Sequence, residues 1–118
     1  MTNIEIEGEN LVLHVEGADE LFALKSHLTI PLKHIDRAEF DPDLAHQWIK
    51  GLKLVGARIP GVIKAGTFFQ DGGRVFWDVH HPDQTVVINL KDETYKKLIV
   101  EVINPQQTVA LINQALNK

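Results

Sequence analysis

The sequence predicts an α+β fold, mostly β, completed by one C-terminal helix. Three observations predict it. Short apolar runs of strand length recur from Ile4 to Val102, separated by Gly-, Pro-, Asp- and Asn-containing turns. The last run, Lys97 to Val102, passes through Ile103 into Asn104-Pro105, a helix-start signal followed by helically spaced apolar residues. Finally, 118 residues at 44% hydrophobic content suffice for one core, and no composition shift marks a linker. Residues 1–118 therefore read as a single domain.

Each element follows from local pattern. Ile4-Glu5-Ile6-Glu7 alternates, Gly8-Glu9-Asn10 turns, and Leu11 to Val15 returns, which is a hairpin with one wet face. Gly17 to Leu24 has the composition of one or two helical turns. Leu28 to Leu32 and Ile35 to Phe40 read as short strands, with Pro31 confining the first to an edge or a break. Asp41-Pro42-Asp43 opens a turn or short helix that points Leu44 and Trp48 inward. Ala65 to Phe69 and Arg74 to Val79 form a second hairpin about Gln70 to Gly73. In it, Val75, Trp77 and Val79 share one face, and Arg74, Phe76, Asp78 and His80 share the other. His81 to Gln84 is a turn, Thr85 to Leu90 a strand, and Lys91 to Thr94 the turn into the last strand. The helix, about residues 104–117, is expected to start on an Asn104/Gln107 capping box. Its stripe of Val109, Ile112 and Leu116, widened by Leu111 and Ala115, needs a sheet to cover.

Composition excludes several classes of function. With no cysteine there is no disulfide framework and no thiolate nucleophile or ligand. A net charge of −4 and a pI near 5.8 lack the basic footprint of a nucleic-acid binder. No apolar stretch is long enough for a transmembrane segment, and the N-terminal residues have no signal-peptide pattern. The location expected from this is cytoplasmic.

The stretch Thr29-Ile30-Pro31-Leu32-Lys33-His34-Ile35, the close Lys97 to Val102 and the Asn104-Pro105 helix start together resemble a bacterial pleckstrin-homology-like domain. Gly61 to Trp77 is also similar to small uncharacterised bacterial proteins. The resemblance implies a partly open barrel of two antiparallel sheets with a C-terminal capping helix. It also implies a binding or scaffold role. Lipid-binding members of that family place cations around the first hairpin turn, whereas here the turn is Glu7-Gly8-Glu9-Asn10.

Two stretches could carry function. From Leu44 to Gln70 there is no acidic residue, and Lys50, Lys53, Arg58 and Lys64 alternate with apolar side chains and glycines. That mixture suits an anionic membrane surface or an acidic protein partner, against the alternative of a solvated rim around core residues. The second stretch is Asp78-Val79-His80-His81-Pro82-Asp83, where Asp78, His80 and His81 combine carboxylate and imidazole as a divalent metal site would. Gly61 to Thr67 has P-loop glycine spacing but lacks the lysine after Gly66 and leads into a strand. Ser26 is the only serine and lies outside any nucleophile elbow. Trp77 alternates with Val75 and Val79 and reads as core. The reading is thus a non-catalytic binding or scaffold domain with no cofactor. It would recognise a protein or anionic surface through residues 50–64. The alternative is a metal-dependent enzyme or metal-binding protein using Asp78, His80 and His81.

Overall fold

A computed structural model describes residues 2–15, 27–43, 64–70 and 72–117. The expected helical turns at 17–24 and the segment carrying Leu44 and Trp48 lie outside these residues. The described residues hold eight strands, one complete α-helix and two single 3-10 turns, at Leu32–His34 and Pro82–Gln84. β1 (Thr2–Glu7), β2 (Asn10–Val15) and β3 (His27–Pro31) form a three-stranded antiparallel sheet in chain order. Five strands make the second sheet: β4 (Ile35–Phe40), β5 (Lys64–Gln70), β6 (Gly73–Val79), β7 (Thr85–Leu90) and β8 (Tyr95–Glu101). Their order is β4-β7-β8-β6-β5. The helix α1 (Pro105–Leu116) completes the chain. The fold is α+β and mostly β, an open two-sheet arrangement with a C-terminal helix, and the sheets do not close into a barrel.

The first hairpin follows from one glycine. Glu7 pairs with Asn10 across a two-residue loop, and Gly8 takes φ 63° while Glu9 keeps φ negative. That combination gives the backbone twist that matches the flanking strands. Leu11, Leu13 and Val15 turn inward, with Leu28 and Ile30 of β3 beside them. From the other sheet Phe76, Val86, Ile88, Leu90, Leu98, Val100 and Val102 meet them in the core.

One strand pair departs from an all-antiparallel arrangement. β8 lies between β6 and β7 and runs parallel to β6, pairing Trp77 with Ile99 and Asp78 with Val100. Residues 80–84 are therefore not a hairpin turn between neighbours; they cross the end of β8. Two strand spacings are about 10 Å, within reach of a connection of this length. Leu98-Ile99-Val100 and Val86-Val87-Ile88 are unbroken apolar runs with no exposure, as strands buried on both faces require. Trp77 is core as its alternation predicts, with no exposure, alongside Val75, Val79, Val87 and Ile99 on the face away from the three-stranded sheet.

The helix lies along the side of the sandwich where β4 forms the edge of the larger sheet. Ile112 is fully buried, and Val109 and Leu116 pack on the same core. Leu111, expected to widen that stripe, is 44% exposed instead. Asn104 is the N-cap residue and its carbonyl accepts the Thr108 N–H at 2.9 Å, but its side chain makes no capping bond. The capping box is thus not formed. Asn113 does a different job: its amide donates to the Ala38 carbonyl and accepts the Ala38 N–H, both at 3.1 Å. Among the described residues β4 has a strand neighbour on one side only, and at Ala38 this side chain takes the place of one on the other. Among the described residues no helix is long and apolar enough to cross a membrane.

Candidate functional site

Asp78, His80 and His81 lie at the end of the larger sheet, where β6 and β8 finish and β7 begins. Asp78 is fully buried on the inter-sheet face of β6, and its carboxylate accepts the Thr2 hydroxyl, joining the two sheets. His80 and His81 follow β6, and both turn their backbone N–H groups onto one oxygen of Glu101, at 2.7 and 2.5 Å. The other Glu101 oxygen is 3.2 Å from His81 Nδ1. Glu101 is 2% exposed, whereas the His81 side chain is 74% exposed. Alternation puts Asp78 with Val100 on one face of the sheet and Glu101 on the other. The structure therefore brings His80 and His81 together on Glu101, and turns the Asp78 carboxylate toward Thr2.

Glu101 was not singled out by the sequence reading. On strand pattern it shares the polar face with Lys97, and the bonds from the turn after β6 appear only once that turn is laid across the end of β8. Its chemistry there is that of a backbone cap. A carboxylate accepting two N–H donors fixes the turn, and the Thr85 hydroxyl adds a bond to the His81 carbonyl at 3.2 Å.

Lys50, Lys53 and Arg58 lie outside the described residues. Lys64 opens β5 and its backbone pairs with Val79. Lys64, the last cation of the run, therefore begins β5 at the same end of the sheet as the His80–His81 turn.

Phe69 on β5 marks a different part of the surface. Among the described residues a three-stranded sheet faces a five-stranded one, of which β5 is an edge. Thr67 and Phe69 pair with Phe76 and Arg74 and so share the core-facing side of the sheet, yet both are exposed, Phe69 by 77%. The Arg74 guanidinium lies 5.7 Å from the Phe69 ring centre, within cation–π range. The Thr67 and Tyr95 hydroxyls hydrogen-bond at 2.9 Å, and Tyr95 meets Phe76 edge to face at 5.8 Å. Together with Leu28 to Ile30 of β3 and Glu93-Thr94, these residues line a groove of about 470 Å³ between the edge strands of the two sheets. Its lining carries one cation and one anion, Arg74 and Glu93. Phe68-Phe69 held the sequence signal: adjacent residues on a strand face opposite ways, so both rings enter one core only if both faces are covered.

The chain matches no protein-family model, no curated protein and no solved structure. What fold and site define is a class: among the described residues, a small open β-sandwich with an α-helix on its side and a groove of mixed polar and apolar lining between two strand edges.

Proposed function

We propose that the chain is a non-catalytic binding domain of the pleckstrin-homology-like kind, and that its groove between β3 and β5 takes an extended segment of a protein partner. One observation carries this reading: Phe69 occupies a core-facing strand position and is 77% exposed. A large aromatic side chain in such a place is where added apolar surface gains most. Among the described residues β5 has a paired neighbour on one side only, so a partner strand gains main-chain hydrogen bonds as well as side-chain contacts. Moving along β5 from Phe69 to Lys64 covers about 17 Å and leads toward the basic run of Arg58, Lys53 and Lys50. The preferred partner segment thus places an apolar residue beside Phe69 and acidic residues beyond it. Glu101 and Asp78 support the non-catalytic reading, because their carboxylates are engaged in holding the turn and joining the sheets.

Selection from a displayed random-peptide library, followed by affinity measurements on the winners, tests the proposal. Phe69→Ala is expected to weaken the selected peptides by about 30-fold or more, on the order of 2 kcal/mol for one aromatic contact. Raising salt is expected to weaken the acidic ones further. Salt-sensitive binding to anionic vesicles that ignores Phe69→Ala would transfer the function to a membrane surface and the basic run.

A further inference from the structure

The outer face of the three-stranded sheet holds a second cluster, unrelated to the groove. Glu5 and Glu7 of β1 and His14 of β2 present one donor atom each, all within 4.8 Å of one another. This convergence is unusual for the register. His14 stands opposite Asn3, while Glu7 stands opposite Asn10, four positions along β1. To meet, the Glu7 and His14 side chains must lean toward each other over the Glu5–Val12 row between them. Val12, on this outer face, is only 7% exposed. His14 Nε2 lies 3.8 Å from the nearer Glu5 oxygen.

A second imidazole stands beside this cluster on the third strand, outside the 4.8 Å within which the three donors converge. His27 pairs directly with His14, and their rings are 6.3 Å apart, tilted by 35°. Two imidazoles on one ion have centroids roughly 5–6 Å apart, and a tetrahedral ion holds its donors about 3.4 Å apart. Small side-chain rotations close both gaps, and the carboxylates are exposed enough to make them.

We infer that Glu5, Glu7, His14 and His27 form a binding site for a divalent transition metal such as zinc. The donor set is two carboxylates and two imidazoles, borderline ligands that favour zinc, nickel or cobalt over magnesium or calcium. Two carboxylates held close repel one another, and a divalent cation between them removes that repulsion while ligating both. The ion would join β1, β2 and β3 through side chains, bracing the sheet on its wet face. Its consequence is stabilisation that rises with metal concentration.

The test uses the full chain without a histidine tag, stripped of metal, titrated with zinc calorimetrically and with cobalt by visible absorption. One equivalent binds at micromolar concentration, and the melting temperature rises by on the order of 10 °C at a hundredfold excess over the dissociation constant. His14→Ala and Glu5→Gln each weaken binding by about tenfold or more. Both positions are exposed or half-exposed, so the apo variants keep the wild-type melting temperature. His81→Ala, at the other histidine cluster, binds zinc as the wild type does. Absence of saturable binding below about 1 mM overturns the assignment. So does unchanged affinity in His14→Ala, or a loss confined to His81→Ala.

Discussion

At the scale of single residues, Glu101 is the group on which most local structure depends. Its carboxylate is almost wholly enclosed and takes the backbone N–H of both His80 and His81. Charge-assisted bonds of this kind contribute roughly 1.5–3 kcal/mol each, and removal leaves two donors without an acceptor. Glu101→Ala is expected to lower unfolding stability by about 3 kcal/mol in urea titration, and Glu101→Gln, which keeps one acceptor oxygen, by about half of that. A Glu101→Ala variant as stable as the parent would mean that the turn is held by other groups. Phe69 is the contrasting case. At 77% exposure its removal costs the fold little, and Phe69→Ala is expected to stay within about 0.5 kcal/mol of wild type. Glu101 does not announce itself in the sequence. The Trp77 alternation marks a core residue plainly, because the pattern repeats through Val75 and Val79. A lone glutamate at a strand end looks like any wet position until another segment is laid across it.

At the scale of elements, the strands were legible wherever apolar alternation or an unbroken apolar run was present. The helix was legible from Asn104-Pro105 and its spacing. What local pattern does not contain is the job each polar residue does. Asn104 looks like the cap and makes no side-chain cap, while Asn113, within the helix, pairs with both backbone groups of Ala38. That arrangement follows from where the helix lies against the β4 edge, which no window of sequence encodes. Asn113→Ala is expected to cost about 1–2 kcal/mol, since it leaves a strand N–H and carbonyl without this partner. Asn104→Ala is expected to change stability by less than about 0.5 kcal/mol. Chemical denaturation of the pair discriminates between them, and a larger loss at Asn104 would show that the capping box forms in solution. At the first hairpin, Gly8 with φ 63° is the position that fixes the turn, and Gly8→Val is expected to destabilise by about 1–2 kcal/mol through backbone strain alone.

At the scale of the whole molecule, the governing fact is a mismatch: among the described residues three strands face five, and the helix packs mainly on β4, with lighter contact to β7 and β1. Strand order was partly readable, because the unbroken runs in β7 and β8 belong to the centre of a sheet. The insertion of β8 between β6 and β7 was not, because a short turn between two strands ordinarily joins neighbours. Thr67 and Phe69 on the core-facing side of β5 are exposed, and the proposed partner segment would cover them. The most direct test is an amide chemical-shift map of the isotope-labelled protein titrated with a selected peptide. If the groove is the binding side, the shifts concentrate in residues 27–31, 64–70 and 93–95, and they disappear in Phe69→Ala. Shifts centred on residues 80–84, on the outer face of the three-stranded sheet or within residues 50–58, with those of β5 unmoved, would contradict the account.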